Sequence, residues 1–327
     1  MLAVLFLCGG ISCCVGRYPL RLTDIWSLCT GGMEDAMKAS VFLKIRLPRT
    51  VFAGITGAAL SISGLVYQEL FRNPLVSPDV LGVGGGASAG AVAAIVCGGG
   101  VIAVRAFALA GGLAAVALAL LLAKWIGTGR QTGGERTVGM VLAGIVVKAL
   151  ADAAVMAMKY TADPSRQLPS IDYWLMGSLQ NIRWREVLYM LPFVLFPLGL
   201  LYLLRWRIQV LSFGDDEAKS LGIPVGLVKI ICAAAACVPI AAGAAVTGMI
   251  SWVGLIVPHM VRRLSGDGLM KNFSLCGLAG ASFMMLTDML ARSLTAAEIP
   301  ISILTSAAGA VFLLGIFLRN RYRSKTK

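Results

Sequence analysis

Apolar positions in this chain fall in long unbroken runs, not in stripes of period 3.6 or alternations of period 2. A helix needs roughly 20 apolar residues to cross a bilayer. By that measure the runs predict about ten membrane spans, at 2–15, 51–70, 80–97, 104–126, 138–158, 187–204, 227–247, 250–261, 275–291 and 299–318. The first and eighth are the shortest. Turn chemistry separates the runs: Arg72-Asn73-Pro74, Gly127-Thr128-Gly129-Arg130, Ala162-Asp163-Pro164-Ser165 and Ser265-Gly266-Asp267-Gly268. Residues 45–90 carry the clearest pattern, a helical hairpin with Arg46 and Arg49 at one mouth and Arg72-Asn73-Pro74 at the other. The expectation is an all-α membrane protein forming one polytopic domain over residues 1–327.

Composition agrees. Of 327 residues, 58% are hydrophobic and 14% charged, with mean hydropathy +0.82. Soluble domains are about one-quarter charged, so a soluble fold would need an implausibly large core. The 38 glycines suit close packing of membrane helices. The net charge of +13 is scattered over short loops with a cluster at the C-terminal tail, which reads as topology anchoring and excludes a nucleic-acid patch. A modest Lys and Arg excess in the even gaps and the tail puts both termini in the cytoplasm. The first outer loop, with Arg17, Arg21, Lys38, Lys44, Arg46 and Arg49, runs against that rule. Eight cysteines without a C-x-x-C pair read as small core residues. The start, Met1-Leu2-Ala3-Val4-Leu5, has no basic stretch and reads as a first span, not a secretory signal.

Few residues carry candidate chemistry. In the stretch 212–224, Asp215, Asp216 and Glu217 suit the first turn of a helix. Ala218, Leu221 and Ile223 would give it an apolar face, and Gly222 a C-terminal stop. This predicts a short surface helix, either a partner-docking element or a solvated connector. Lys148 lies mid-run with Asp152 one turn on. A lone charge at that depth costs about 2.5–3.5 kcal/mol, which pairing at i,i+4 offsets in part. Such a face either lines a conduit or is buried against a neighbour. His259 is the only histidine and has no companions at ligand spacing, so it reads as helix-end structure, with no metal site. The runs Gly84-Gly85-Gly86 and Gly98-Gly99-Gly100 lack the lysine of a phosphate loop and read as close helix packing.

The chain resembles the permease subunits of type II ABC importers for iron-siderophores, haem and cobalamin. Nine pieces in order carry the likeness. They are Arg46-Leu47-Pro48-Arg49; Gly57-Ala58-Ala59-Leu60 with Ser63-Gly64 and Gln68; Arg72-Asn73-Pro74-Leu75 with Pro78; Leu81-Gly82-Val83; Tyr173-Trp174-Leu175-Met176-Gly177-Ser178-Leu179; Gly214, Ala218 and Leu221-Gly222; Gly248 with 253–259 and Arg262; Gly280-Ala281 with Asp288 and Ala291-Arg292; and Glu298-Ile299-Pro300-Ile301. The final run departs from the pattern, with Gly309-Ala310-Val311 where the family usually has Gly-Ala-Pro. The resemblance implies the type II permease fold and a second permease copy, with a homodimer expected. It also implies two ATP-binding subunits inside and an extracytoplasmic substrate-binding protein. The setting is the lipid of the cytoplasmic (inner) membrane and the cargo a metal chelate, iron-siderophore first.

By the same resemblance Gly214, Asp215, Asp216, Glu217, Ala218, Leu221 and Gly222 form the coupling helix on the ATPase. Arg46, Arg49 and Arg292 dock carboxylates of the binding protein, with Asp288 placed to orient Arg292. Asn73, Leu75 and Thr137 match gate positions, although helix-end structure accounts for them equally well. No cofactor is expected on this chain, ATP belonging to the partner subunit, and no catalytic residue. An ion-driven secondary transporter would want acidic sites near the midplane, and here Asp152 and Asp288 each have a basic neighbour. An intramembrane enzyme would need a nucleophile–base or metal pair within the spans, and the sequence offers none.

Overall fold

In hydrocarbon an apolar run can satisfy its backbone within itself only as an α-helix, and every regular element among the described residues is helical. The computed structural model describes residues 1–16, 18, 20–30, 35–126, 133–295 and 297–325. The order is α1 (Leu2–Cys14), α2 (Leu22–Cys29), α3 (Ala36–Val41), a π-helical turn (Phe42–Arg46), α4 (Leu47–Leu70), a 3₁₀ turn (Pro78–Leu81), α5 (Val83–Val96), α6 (Val101–Ile126) and α7 (Gly133–Thr161). It continues with α8 (Gln167–Met176), α9 (Trp184–Phe213), α10 (Asp215–Ser220), α11 (Val225–Thr247), α12 (Val253–Ser265), α13 (Leu269–Ser293) and α14 (Ile301–Lys325). Each predicted span falls on a helix. Among the described residues, six helices suffice by length and composition to cross a membrane, while Leu2–Cys14, Val83–Val96 and Ile301–Ile316 are apolar but shorter.

The boundaries differ from the sequence reading where polar chemistry sets them. Helix runs unbroken from Ala36 to Leu70, because the Asp35 carboxylate accepts the N–H groups of Met37 and Lys38 and starts it early. The run expected from residue 250 becomes helical only at Val253. Gly248 (φ +72°) and Trp252 (φ +73°) break the chain there. Neighbours satisfy the freed carbonyls: the Ser178 N–H donates to Thr247 at 2.7 Å and the Ser302 hydroxyl to Met249 at 2.6 Å. α14 is unbroken through Gly309, which lies against the Trp252 ring.

α4 is the buried post of the bundle. Glycines bring its backbone onto its neighbours: a Cβ on Gly57 would strike the Gly280 carbonyl of α13, and one on Gly64 the Gly254 carbonyl of α12. Gly86 and Gly90 of α5 meet Gly111 and Phe107 of α6 in the same way; of the two runs expected to pack, 84–86 does so, whereas Gly98 and Gly100 stand in open space.

Candidate functional site

Chemistry gathers at three places: the end where α4 begins, the end where α4 stops, and the face between α5 and α7.

At the first end the sequence predicts outward-facing arginines, and the structure turns them inward. Arg46, Arg49 and Arg292 are 5%, 8% and 7% exposed. Arg46 Nη1 donates to the carbonyls of Cys13 (2.7 Å) and Cys14 (2.6 Å), and Nη2 to that of Tyr18. Arg292 Nη1 donates to the Val15 carbonyl at 2.9 Å, and Nη2 to the Ser12 hydroxyl at 2.8 Å and the Ser12 carbonyl. The physical reason is the end of α1. Its last carbonyls have no intrahelical donor and carry the negative end of the helix dipole, so two guanidiniums cap them. Arg49 is held by carboxylates instead. Its Nε donates to Asp288 at 2.9 Å, and Nη1 and Nη2 straddle Glu298 at 3.0 and 2.9 Å. Asp288 is fully buried and also lies 3.4 Å from Arg292 Nε, an ion-pair distance without a hydrogen bond. Glu298 is 24% exposed at the rim.

At the opposite end α10 forms the short helix expected. Gly222 (φ +74°) ends it: its N–H donates to Lys219 and the Ile223 N–H to Ala218. Ala218 and Ile223 are buried, but Leu221 is exposed, contrary to the apolar face expected. Asp216, Glu217 and Lys219 point outward. Lys219, 2.8 Å from Asp216, holds that carboxyl below the usual carboxylate range. Asp215 turns into the bundle, where the Lys229 ammonium donates to both of its oxygens and Arg72 stands 3.9 Å away. In the adjoining turn the Asn73 side chain accepts the Leu75 N–H at 2.9 Å, a local turn bond. Asn73 and Leu75 are both exposed. The Thr137 side chain lies outside the described residues.

Lys148 and Asp152 do pair, at 3.5 Å, and a third group joins them. Asp79, in the 3₁₀ turn before α5, lies 3.3 Å from Lys148 and accepts the Gly84 N–H at 2.6 Å. All three side chains keep contact with the outside of the chain, at 45% for Lys148, 47% for Asp152 and 28% for Asp79. A half-open cluster holding two carboxylates and one ammonium is the result.

Sequence reasoning missed the roles of Asp79, Lys229 and Glu298. Lys229 had the signal that exposed Lys148, a lone charge inside an apolar run. His259 lies within α12 with its ring edge-on to Phe312, 5.7 Å between centroids. No group of three or more His, Cys, Asp or Glu gathers as metal ligands among the described residues.

The family model of the FecCD transport family matches residues 2–319. A molybdate import system permease protein of Haemophilus influenzae is 35% identical over 312 residues, 94% of this chain and 90% of its own length. A permease protein of Helicobacter pylori assigned to an iron chelatin transport system is 35% identical over 322 residues, covering 97% of this chain and 94% of that protein. An ABC transporter assigned to the metal-chelate type, solved in an inward-facing conformation, superposes with a TM-score of 0.86 at 34% identity, covering 98% of this chain and 97% of that one.

Proposed function

The chain belongs to the FecCD transport family, as a multi-pass membrane permease of an ABC importer, and on that premise we propose that it carries an iron chelate. Such permeases are transport subunits, not enzymes, and ATP is hydrolysed on separate subunits. The observation that carries the cargo reading is the Lys148–Asp79–Asp152 cluster. With two carboxylates for one ammonium, a face of this kind lining the conduit repels a bare oxyanion and tolerates a bulky chelate with its charge spread. A relative assigned to iron chelatin transport supports the same choice. The molybdate relative, at equal identity, names the competing cargo.

The mechanism follows from the two ends. Docking of a substrate-binding protein takes place by exchange: Glu298, at the rim, releases Arg49 to a carboxylate of the arriving protein, while Arg46 and Arg292 stay on α1. Permanently charged, planar guanidiniums suit such reversible bidentate pairing. At the far end the outward side chains Asp216, Glu217, Lys219 and Leu221 seat in an ATPase subunit, and Asn73-Pro74-Leu75 with Thr137 borders the exit. Two copies of the chain enclose the conduit.

Uptake by vesicles containing the whole importer tests the cargo. Ferric desferrioxamine, haemin, cyanocobalamin and molybdate are offered separately with ATP inside. Import of the ferric chelate is expected; import of molybdate alone overturns the reading.

A further inference from the structure

A six-residue helix has too few backbone bonds to persist by itself, so what α10 transmits passes through its short links to α9 and α11 and through the side chains that pin it. The principal pin is buried. Lys229 Nζ donates to Asp215 Oδ1 at 2.8 Å and Oδ2 at 2.7 Å, and each side chain is 4% exposed. Lys229 belongs to the second turn of α11. One turn on, the Ala233 carbonyl accepts the Tyr67 hydroxyl of α4 at 3.0 Å, and a further turn on, Cys237 Sγ lies 2.6 Å from the same hydroxyl. Residues 229, 233 and 237 stand at i, i+4 and i+8, so they form one stripe along α11. Tyr67 stacks on Phe71 with ring centroids 5.7 Å apart. Arg72 follows in a left-handed turn (φ +49°) that brings its guanidinium back to within 3.9 Å of Asp215. The contacts close a ring from α10 to α11, from α11 to α4, and from the end of α4 back to α10.

We propose that this ring is the joint through which α10 positions the Asn73-Pro74-Leu75 turn, with Lys229 and Tyr67 as its positioning residues. The proposal rests on the importer reading above. A push on α10 reaches α11 through a buried bidentate pair, which holds its geometry far better than an exposed one. It reaches α4 through the tyrosine bond, and Asn73 follows the end of α4 by only a few residues. Neither Lys229 nor Tyr67 contributes to the outward face of α10, and Tyr67→Phe also leaves the Lys229–Asp215 pin in place, so in that variant the ATPase keeps its docking surface.

The experiment uses the complete importer, permease with its ATP-hydrolysing subunits and binding protein, in vesicles. ATP hydrolysed and probe imported are measured together, with ferric desferrioxamine, haemin, cyanocobalamin and molybdate as probes. Lys229→Met is expected to hydrolyse ATP within about two-fold of the native importer while importing roughly ten-fold less. Lys229→Arg, which keeps the charge, restores the ratio. Tyr67→Phe keeps the ion pair and shifts the ratio in the same direction by a smaller factor, and it decides the matter if Lys229→Met does not fold. Hydrolysis and import falling in parallel, or a native ratio in both variants, overturns the joint alone. Native vesicles that hydrolyse ATP and import no probe overturn the importer reading, and the joint with it.

Discussion

Replacing Arg49 with methionine tests whether the arginine cluster holds the fold. Asp288 is completely buried, and Arg49 is its nearer partner, at 2.8–2.9 Å against 3.4 Å for Arg292. Removing one member of a buried pair leaves an uncompensated charge and costs about 3–5 kcal/mol. Arg292 remains beside Asp288, so Arg49→Met belongs at the lower end, about 3 kcal/mol. Glu298→Gln removes only the rim partner, and a pair open to water is worth about 0–1 kcal/mol. The double variant Arg49→Met/Asp288→Leu restores the net charge of the cluster and leaves no buried carboxylate, so it recovers part of the loss. Reversible unfolding in mixed micelles, followed by tryptophan fluorescence, gives the three values. The reasoning fails if Arg49→Met lies within about 1 kcal/mol of the native protein, or if the double variant is less stable than the single.

Three further expectations can be checked separately. Gly64→Ala pushes a methyl into the Gly254 carbonyl and is expected to cost about 1–3 kcal/mol or more in the same unfolding assay, whereas Gly10→Ala, with open space around it, changes little. Lys148→Met leaves Asp79 and Asp152 without their shared ammonium and is expected to lower import of the native cargo; unchanged uptake removes the cluster from the conduit. The Asp24 carboxyl is held below the usual range chiefly by the Arg21 N–H and then by Lys38. A depressed folded-state value stabilises above the unfolded one, about 3.9, and the contribution disappears as pH falls further. Protection factors over Leu22–Cys29, the exchange rates divided by their intrinsic pH-dependent values, should therefore fall in acid below about pH 4 and stay level between pH 5 and 7.

Much of this fold is readable from hydropathy, because a run of apolar residues in lipid has only one economical backbone. The turn at Arg72-Asn73-Pro74 and the helix stop at Gly222 are readable too, because each depends on the residue at that position. What escapes is whatever a distant partner decides. α8 has ten residues with Pro169 and a polar face, so its helix is set by tertiary packing and not by its own pattern. The break at 248–252 follows from acceptors that Ser178 and Ser302 satisfy across the bundle. The arginines show the limit most clearly. Arg46 and Arg49 look alike in the sequence, yet one caps the carbonyls of α1 and the other binds carboxylates 239 and 249 residues away. Residue type predicted the chemistry of these groups but not the direction in which they point.

The clasp at one end and the ring at the other share α4, and this bears on which parts of the permease move. Arg49 fixes the start of α4 to α13 and to the segment before α14, and Tyr67 and Arg72 fix its end to α11 and α10. Between them, glycine contacts leave no room for a sliding side chain. Tightly interdigitated surfaces have discrete arrangements and do not deform continuously. Of the apolar window in the helix that contains α4, 83% is buried, against 28% in each of α6, α7 and α9. On the importer reading, this burial makes α4 the helix held most tightly, while α6, α9 and α7, which carries Lys148, present most of their apolar surface to the outside of the chain. Hydrogen exchange on the importer cycling with ATP should show α4 protected throughout and α7 changing between nucleotide states. Equal change in both helices would mean that the post itself moves, and the ring would then be a consequence of the motion and not its carrier.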